Sequence, residues 1–245
     1  MKNRARWLTG IAVAAAAAAA WWWIDADHPH FLPAEDAAFV ASFAPPPAPD
    51  SAETRRELDG LLALQRSRSD AEIAAARADR KTELRQFYGA LGLDAKNPPD
   101  LPQLERLAQR VEDDVRIHVR HVKDHFRRLR PYEIEPRLEP CIDHVRGDLS
   151  YPSGHAAYAW SMAYLLELMV PERKQALEAR AAEFARQRVV CGVHFPSDLA
   201  AGKQAAERLL KEMRLSWEFS SEGATAAAEL RGAMRLPPRD FSVAD

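Results

Sequence analysis

The chain has 245 residues, of which 47% are hydrophobic and 29% charged, and its net charge is −2. That balance is globular and excludes a disordered or fibrous protein, and the small net charge gives no global signal for nucleic acid. Only ten glycines in a chain dominated by Ala, Leu, Arg and Glu favour helices.

Lys2, Arg4 and Arg6 precede an apolar run from Trp7 to Ile24, the layout of an export signal. Ala18 and Ala20 suit a small-residue cleavage site. The alternative is an uncleaved anchor, with Trp21, Trp22 and Trp23 at a membrane interface. Either way the body is expected outside the cytoplasm, periplasmic or secreted. Residues 1–24 are thus read as signal peptide or N-terminal anchor, 25–50 with "PPPAP" as a proline-rich extended arm, and 51–245 as one helical domain.

From Ala52 to Tyr88 the apolar spacing is helical, with Leu58, Leu61, Leu62 and Leu64. "KNPPDLP" (97–103) breaks the chain. The next helix starts near Pro102 and carries Leu104, Leu107, Ala108 and Val111, and it, or a successor, is predicted to reach about Leu129, because Pro131 disfavours helix at Arg130. An irregular connection (131–152) leads to a strongly apolar helix from Gly154 to Val170. It is short for a bilayer span and contains Glu167, which points to a buried core helix. Pro171 and Pro196 suit the first turns of helices running toward Val190 and Arg214. No Val/Ile/Thr alternation is long enough for a sheet, so the predicted fold class is all-α.

Three segments carry chemistry. "KDHFRRLRP" holds Lys123 and Arg130, seven positions apart and so on one side of a continuous helix. "YPSGH" ends in His155, and "RVVCGVHFPSD" holds Arg188, His194 and Asp198. Each alone is unremarkable, since a basic helix face is usually solvated and a lone histidine structural. Together, Lys123, Arg130 and Arg188 supply three cations, enough for a phosphate dianion and its transition-state charge. Ser153 offers a hydroxyl, the amides of Gly154 and His155 open a helix that favours anions, and glycine at 154 allows close approach. His194 and Asp198 form a base-and-orienter pair, which leaves one ring nitrogen free to attack phosphorus, and His155 is placed to protonate the departing alkoxide. Of the two cysteines, Cys141 and Cys191, an oxidising compartment allows a pair, and two separate buried thiols are the alternative.

These residues, in this order, resemble the type 2 phosphatidic acid phosphatase superfamily, whose signature is Lys-x6-Arg-Pro, Pro-Ser-Gly-His and Ser-Arg-x5-His-x3-Asp. "AAARADR" and "SYPSGH" narrow the resemblance to bacterial class A non-specific acid phosphatases over roughly residues 50 to 215. The resemblance implies a helical bundle of the acid phosphatase and vanadium haloperoxidase type. It also implies metal-free, cofactor-free hydrolysis of phosphomonoesters through a phosphohistidine. By position, His194 resembles the nucleophile, Asp198 its partner and His155 the acid. Lys123, Arg130, Ser153, Gly154 and Arg188 resemble the phosphate-binding set, and Cys141 and Cys191 sit where such secreted enzymes can carry a disulfide. Gln187, where serine is usual, and Ala156, where threonine is common, depart from the pattern. A lipid or isoprenoid diphosphate phosphatase of the same superfamily and a non-catalytic phosphate-binding relative are the alternatives. The expected partners are small phosphorylated substrates and no nucleic acid. Membrane contact is expected only through an uncleaved N-terminal anchor, and homo-oligomerisation is left open.

Four further features are read conservatively. His118, His121 and His125 share a helical face roughly opposite Lys123 and are read as a surface or partly buried stripe, not a metal site. Tyr158, Trp160 and Tyr164 are read as core. Tyr151 and Phe195 are core or, alternatively, walls of the substrate entrance. Arg127 and Arg128 are expected in solvent, the alternative being that one of them meets an incoming phosphate.

Overall fold

A computed structural model describes residues 28–34 and 36–241, and no strand occurs among them; the fold is all-α. The readings on residues 1–24 fall outside the described residues. Among those described, no helix is long and apolar enough to cross a membrane.

The proline-rich arm is not extended throughout. Asp36 caps a short helix, α1 (Ala37–Ala41), through the amide of Phe39, and that ring and Phe43 are buried in the main core. Upstream, the amides of Phe31 and Leu32 donate to the Asp114 carboxylate at 2.9 and 3.1 Å, which satisfies a carboxylate buried by the arm.

The helical stretch predicted from Ala52 is broken at Arg68 into α2 (Ala52–Ser67), capped by Ser51, and α3 (Asp70–Ala78), which starts at a Ser69–Glu72 capping box. A 3₁₀ turn (Leu84–Phe87) and α4 (Tyr88–Leu91) follow. Helix α5 (Pro102–Phe126) stops short of Leu129, because Arg127 adopts a left-handed conformation (φ 50°) and its amide closes back on Lys123 O at 2.8 Å. Lys123 and Arg130 therefore do not share a helix. Arg130 instead precedes the single turn α6 (Pro131–Ile134).

Helix α7 (Gly154–Met169) is apolar on every face, so it must be surrounded. Helices α8 (Lys174–Val190) and α9 (Pro196–Met213) pack along it, and α5 and α10 (Trp217–Ala233) cover other sides. Gly202 sets how close α9 comes. A Cβ there would lie 2.6 Å from the carbonyl oxygen of Ser153 and 2.8 Å from the Ala156 side chain. That contact brings the start of α9 against the start of α7, where the Ser153 amide donates to Asp198 O at 3.0 Å. Cys141 and Cys191 form a disulfide with a Cα–Cα distance of 4.7 Å, which ties the 135–150 connection to the end of α8. Closing 50 residues this way contributes about 4 kcal/mol in the chain-entropy model.

Candidate active site

His194 lies in the tight loop between α8 and α9, and Pro196 then starts the helix that carries Asp198 in its first turn. Asp198 is fully buried, and its carboxylate accepts four bonds. They come from His194 Nδ1 (3.2 Å), Ser150 Oγ (2.5 Å), the Phe195 amide (2.9 Å) and Arg128 Nη1 (2.7 Å). On the other side of the ring, Arg130 Nη1 contacts His194 Nε2. A guanidinium only donates, so Nε2 presents its lone pair and the ring proton sits on Nδ1, facing Asp198. Burial first, then the neighbouring Arg130 and Lys123 charges, hold the pKa of His194 well below the usual histidine range. The ring is a neutral base with its lone pair aimed outward.

His194, its Nε2 lone pair accepting from Arg130, borders a cavity of about 160 Å³ whose lining includes Arg80, Arg130, Asp148, His155, Arg188 and His194. Arg188 is buried, and its Nη2 donates to the carbonyls of Ala76 (3.1 Å) and Asp79 (3.0 Å) at the end of α3. Arg130 donates to Val193 O (2.8 Å) and pairs with Asp148. Both arginines keep a buried Nε without a partner. Unpaired buried donors are costly, and an oxyanion held here would satisfy them. The Lys123 ammonium, bonded to Leu149 O, is lowered to about 7 by burial and then by Arg130. Ser153 is buried and caps α7 through the Ala156 amide (3.3 Å), which leaves the amides of Gly154 and His155 at the open helix end.

His155 stands across the cavity from the nucleophile-like ring. Its Nε2 meets Arg80 O at 2.9 Å, and since a carbonyl only accepts, Nε2 carries the proton in the neutral ring. Burial, followed by Arg188, lowers its pKa to about 4. Arg130, His155, Arg188 and His194 thus line one cavity. Lys123 and Gly154 line the groove beside it, and Ser153 and Asp198 are packed behind. Among the described residues no group of three or more His, Cys, Asp or Glu is arranged to hold a metal ion. Such an arrangement can hold a tetrahedral oxyanion between a base and a proton donor.

The family model described as PAP2 superfamily matches residues 115–210. This segment contains every candidate residue from Lys123 to Asp198. The chain is similar to a non-specific acid phosphatase of Providencia stuartii, at 28% identity over 64% of this chain and 63% of that protein. It is also similar to an acid phosphatase of Zymomonas mobilis, at 28% identity over 78% of this chain and 74% of that one. A non-specific acid phosphatase of Salmonella typhi is 35% identical over 44% of each chain. The match therefore spans under two thirds of the Providencia protein and under half of the Salmonella one. A solved transmembrane PAP2-type phosphatidylglycerolphosphate phosphatase from Bacillus subtilis aligns with a TM-score of 0.48 at 18% identity, covering 72% of this chain and 89% of that chain.

Sequence reasoning placed Arg128 in solvent, and the structure corrects this. Its side chain is buried against the candidate site, donating to Asp198 Oδ1 and Ser197 Oγ (both 2.7 Å) and to Glu57 Oε2 (2.8 Å), and it stacks 3.8 Å over the Phe195 ring. The left-handed Arg127 turns it inward, a conformational feature without a sequence signature. Glu57, on α2 and outside the PAP2 segment, was also missed, as was Ser150, although "SYPSGH" brackets the latter. Tyr151 and Phe195 are buried core residues and do not line the cavity, and Tyr151 donates to Ala44 O of the arm at 2.9 Å. His118 is buried beneath the arm, bonded to Asp114 O (2.8 Å) and Pro33 O (3.1 Å). Gln187 is buried with its carbonyl oxygen unpaired, and nothing in the structure explains the replacement of serine.

Proposed function

We propose that the protein is an exported, metal-independent acid phosphatase that hydrolyses phosphomonoesters through a phosphohistidine. The observation that carries this reading is the Asp198–His194 pair, its Nε2 lone pair accepting from Arg130, at a cavity that it shares with His155 and Arg188. In the first step His194 Nε2 bonds to phosphorus, the ester P–O bond breaks, and His155 gives its proton to the departing alkoxide. In the second step His155 takes a proton from water. The resulting hydroxide attacks phosphorus, the P–N bond breaks, and inorganic phosphate leaves. Lys123, Arg130 and Arg188 carry the charge on the equatorial oxygens, a task that metal ions perform in other phosphoryl-transfer enzymes.

The depressed pKa of His155 fits this role. Burial first, and then the charges of Arg188, Arg130 and Lys123, disfavour a charge on His155, and a phosphate dianion among those cations offsets their repulsion and so favours the protonated acid. Export is supported by the basic, then apolar, N-terminal layout and by a disulfide of the kind that persists in oxidising compartments.

The test is a phosphatase assay across a panel of small phosphomonoesters, with and without chelator, beside His194→Ala. Turnover should persist in chelator, be inhibited by orthovanadate, and vanish in the variant. Activity abolished by chelator and restored by zinc or magnesium would overturn the reading.

A further inference from the structure

The cage adjoins a second, larger cavity of about 490 Å³, a size typical of small-molecule sites. It runs between α5 and the start of α7. His155 and Asp148 line both cavities, so the acid stands where the two meet. Only an ester oxygen at that junction can receive the proton of His155, and the groove is the space that then remains for the alcohol.

The groove follows α5. Lys123 lies at the cage end, Val119 and Val115 along the floor with the Tyr158 ring opposite, and Glu112 at the far end. Lys123 and Glu112 are eleven positions apart on the helix, roughly 16 Å of axial rise. The middle of this path offers valine and tyrosine carbon, with the Arg116 and Arg120 side chains also on its wall. Its far end offers a carboxyl that already accepts from Thr82 Oγ1 at 2.6 Å, while Arg116 beside it pairs with Asp113 at 3.5 Å. Burial pushes the Glu112 carboxyl up, so a cationic or hydroxyl partner there gains by relieving its desolvation.

We propose that this groove is the leaving-group subsite and selects phosphomonoesters of elongated alcohols with an apolar body and a terminal hydrogen-bond donor, which Glu112 receives. The inference rests on the phosphatase reading and adds the substrate class. It places an amine or hydroxyl well beyond the phosphate, and it disfavours a carboxylate at that end.

The experiment measures kcat/KM for methyl, butyl, hexyl and octyl phosphate, whose leaving groups differ little in basicity, and then for octyl phosphates ending in an amine or a carboxylate. The corresponding non-hydrolysable alkylphosphonates are measured as competitive inhibitors, so that binding is read apart from chemistry. The expected result is a rise of roughly two- to fourfold per methylene until the groove is filled. The amine ester should gain about tenfold further over the plain octyl ester, and the carboxylate ester should fall below it. Glu112→Gln should remove the preference for amine over carboxylate while the rise with chain length remains. A flat length series, a preference for the carboxylate, or an amine preference that survives Glu112→Gln would overturn the subsite. Failure of every ester, the methyl one included, would instead overturn the phosphatase reading beneath it.

Discussion

The two imidazoles of the site are held in opposite ways. His194 is buried, its tautomer is fixed from both sides, and the carboxylate behind it is itself held by Ser150, a backbone amide and the buried Arg128–Glu57 pair. His155 is tied by one backbone carbonyl and faces both the cage and an open groove. The difference follows from what each ring has to do in the proposed reaction. A nucleophile needs one lone pair at one angle every time, whereas an acid that serves different alcohols must meet their oxygens at a boundary between cavities.

The largest expected effect breaks the tight half. Arg128→Ala leaves the buried Asp198 and the partly buried Glu57 carboxylates without their shared cation, and removing one member of such a set costs about 3–5 kcal/mol. Thermal or urea unfolding should show it, and Arg128→Lys should recover part of the stability but less of kcat, since one ammonium cannot reproduce the forked contacts.

Breaking the open half should give a different pattern. His155→Asn should slow alkyl phosphates about 10²–10⁴-fold, the usual worth of general acid catalysis. It should slow p-nitrophenyl phosphate far less, because nitrophenolate leaves without a proton. Equal losses on both substrates would remove His155 from the acid role.

A smaller effect is expected where the halves meet. Gly202→Ala inserts a methyl 2.6 Å from the Ser153 carbonyl, and overpacking of this kind typically costs about 1–3 kcal/mol. It should also lower kcat by shifting Asp198 against Ser153. Gly232→Ala, with nothing within 4 Å, should be neutral or slightly stabilising.

The smallest effect concerns pH. His155 has a pKa of about 4 in the fold, below its ordinary 6.5, so the unfolded chain binds the extra proton first. Stability should therefore fall as pH drops from 6.5 toward 4, by about 1–3 kcal/mol from this group, and should fall less in His155→Asn.

How legible these halves were in the sequence differs for physical reasons. "PSGH" and "HFPSD" mark helix starts, because proline at 196 belongs in a first turn and serine at 153 is a favoured cap, and so Asp198 and His155 could be placed on α9 and α7 from spacing alone. The all-α fold followed from apolar periodicity in the same way. The support around Asp198 was not legible. Arg128 is turned inward by a left-handed backbone at Arg127, and Glu57 reaches it from 71 residues away on α2. The same kink defeated the expectation that Lys123 and Arg130 share a helix. The arm was read as extended, but Phe39 and Phe43 find core positions that periodicity cannot foresee in a proline-rich segment.

The central claim is that His194, held by Asp198, becomes bonded to phosphorus. Rapid mixing with a ³²P-labelled aryl phosphate, quenching in alkaline denaturant where phosphohistidine survives, and peptide mapping tests it directly. The account predicts label on the peptide carrying His194 and none in His194→Ala. Turnover without any labelled protein, or label on a different residue, would contradict it.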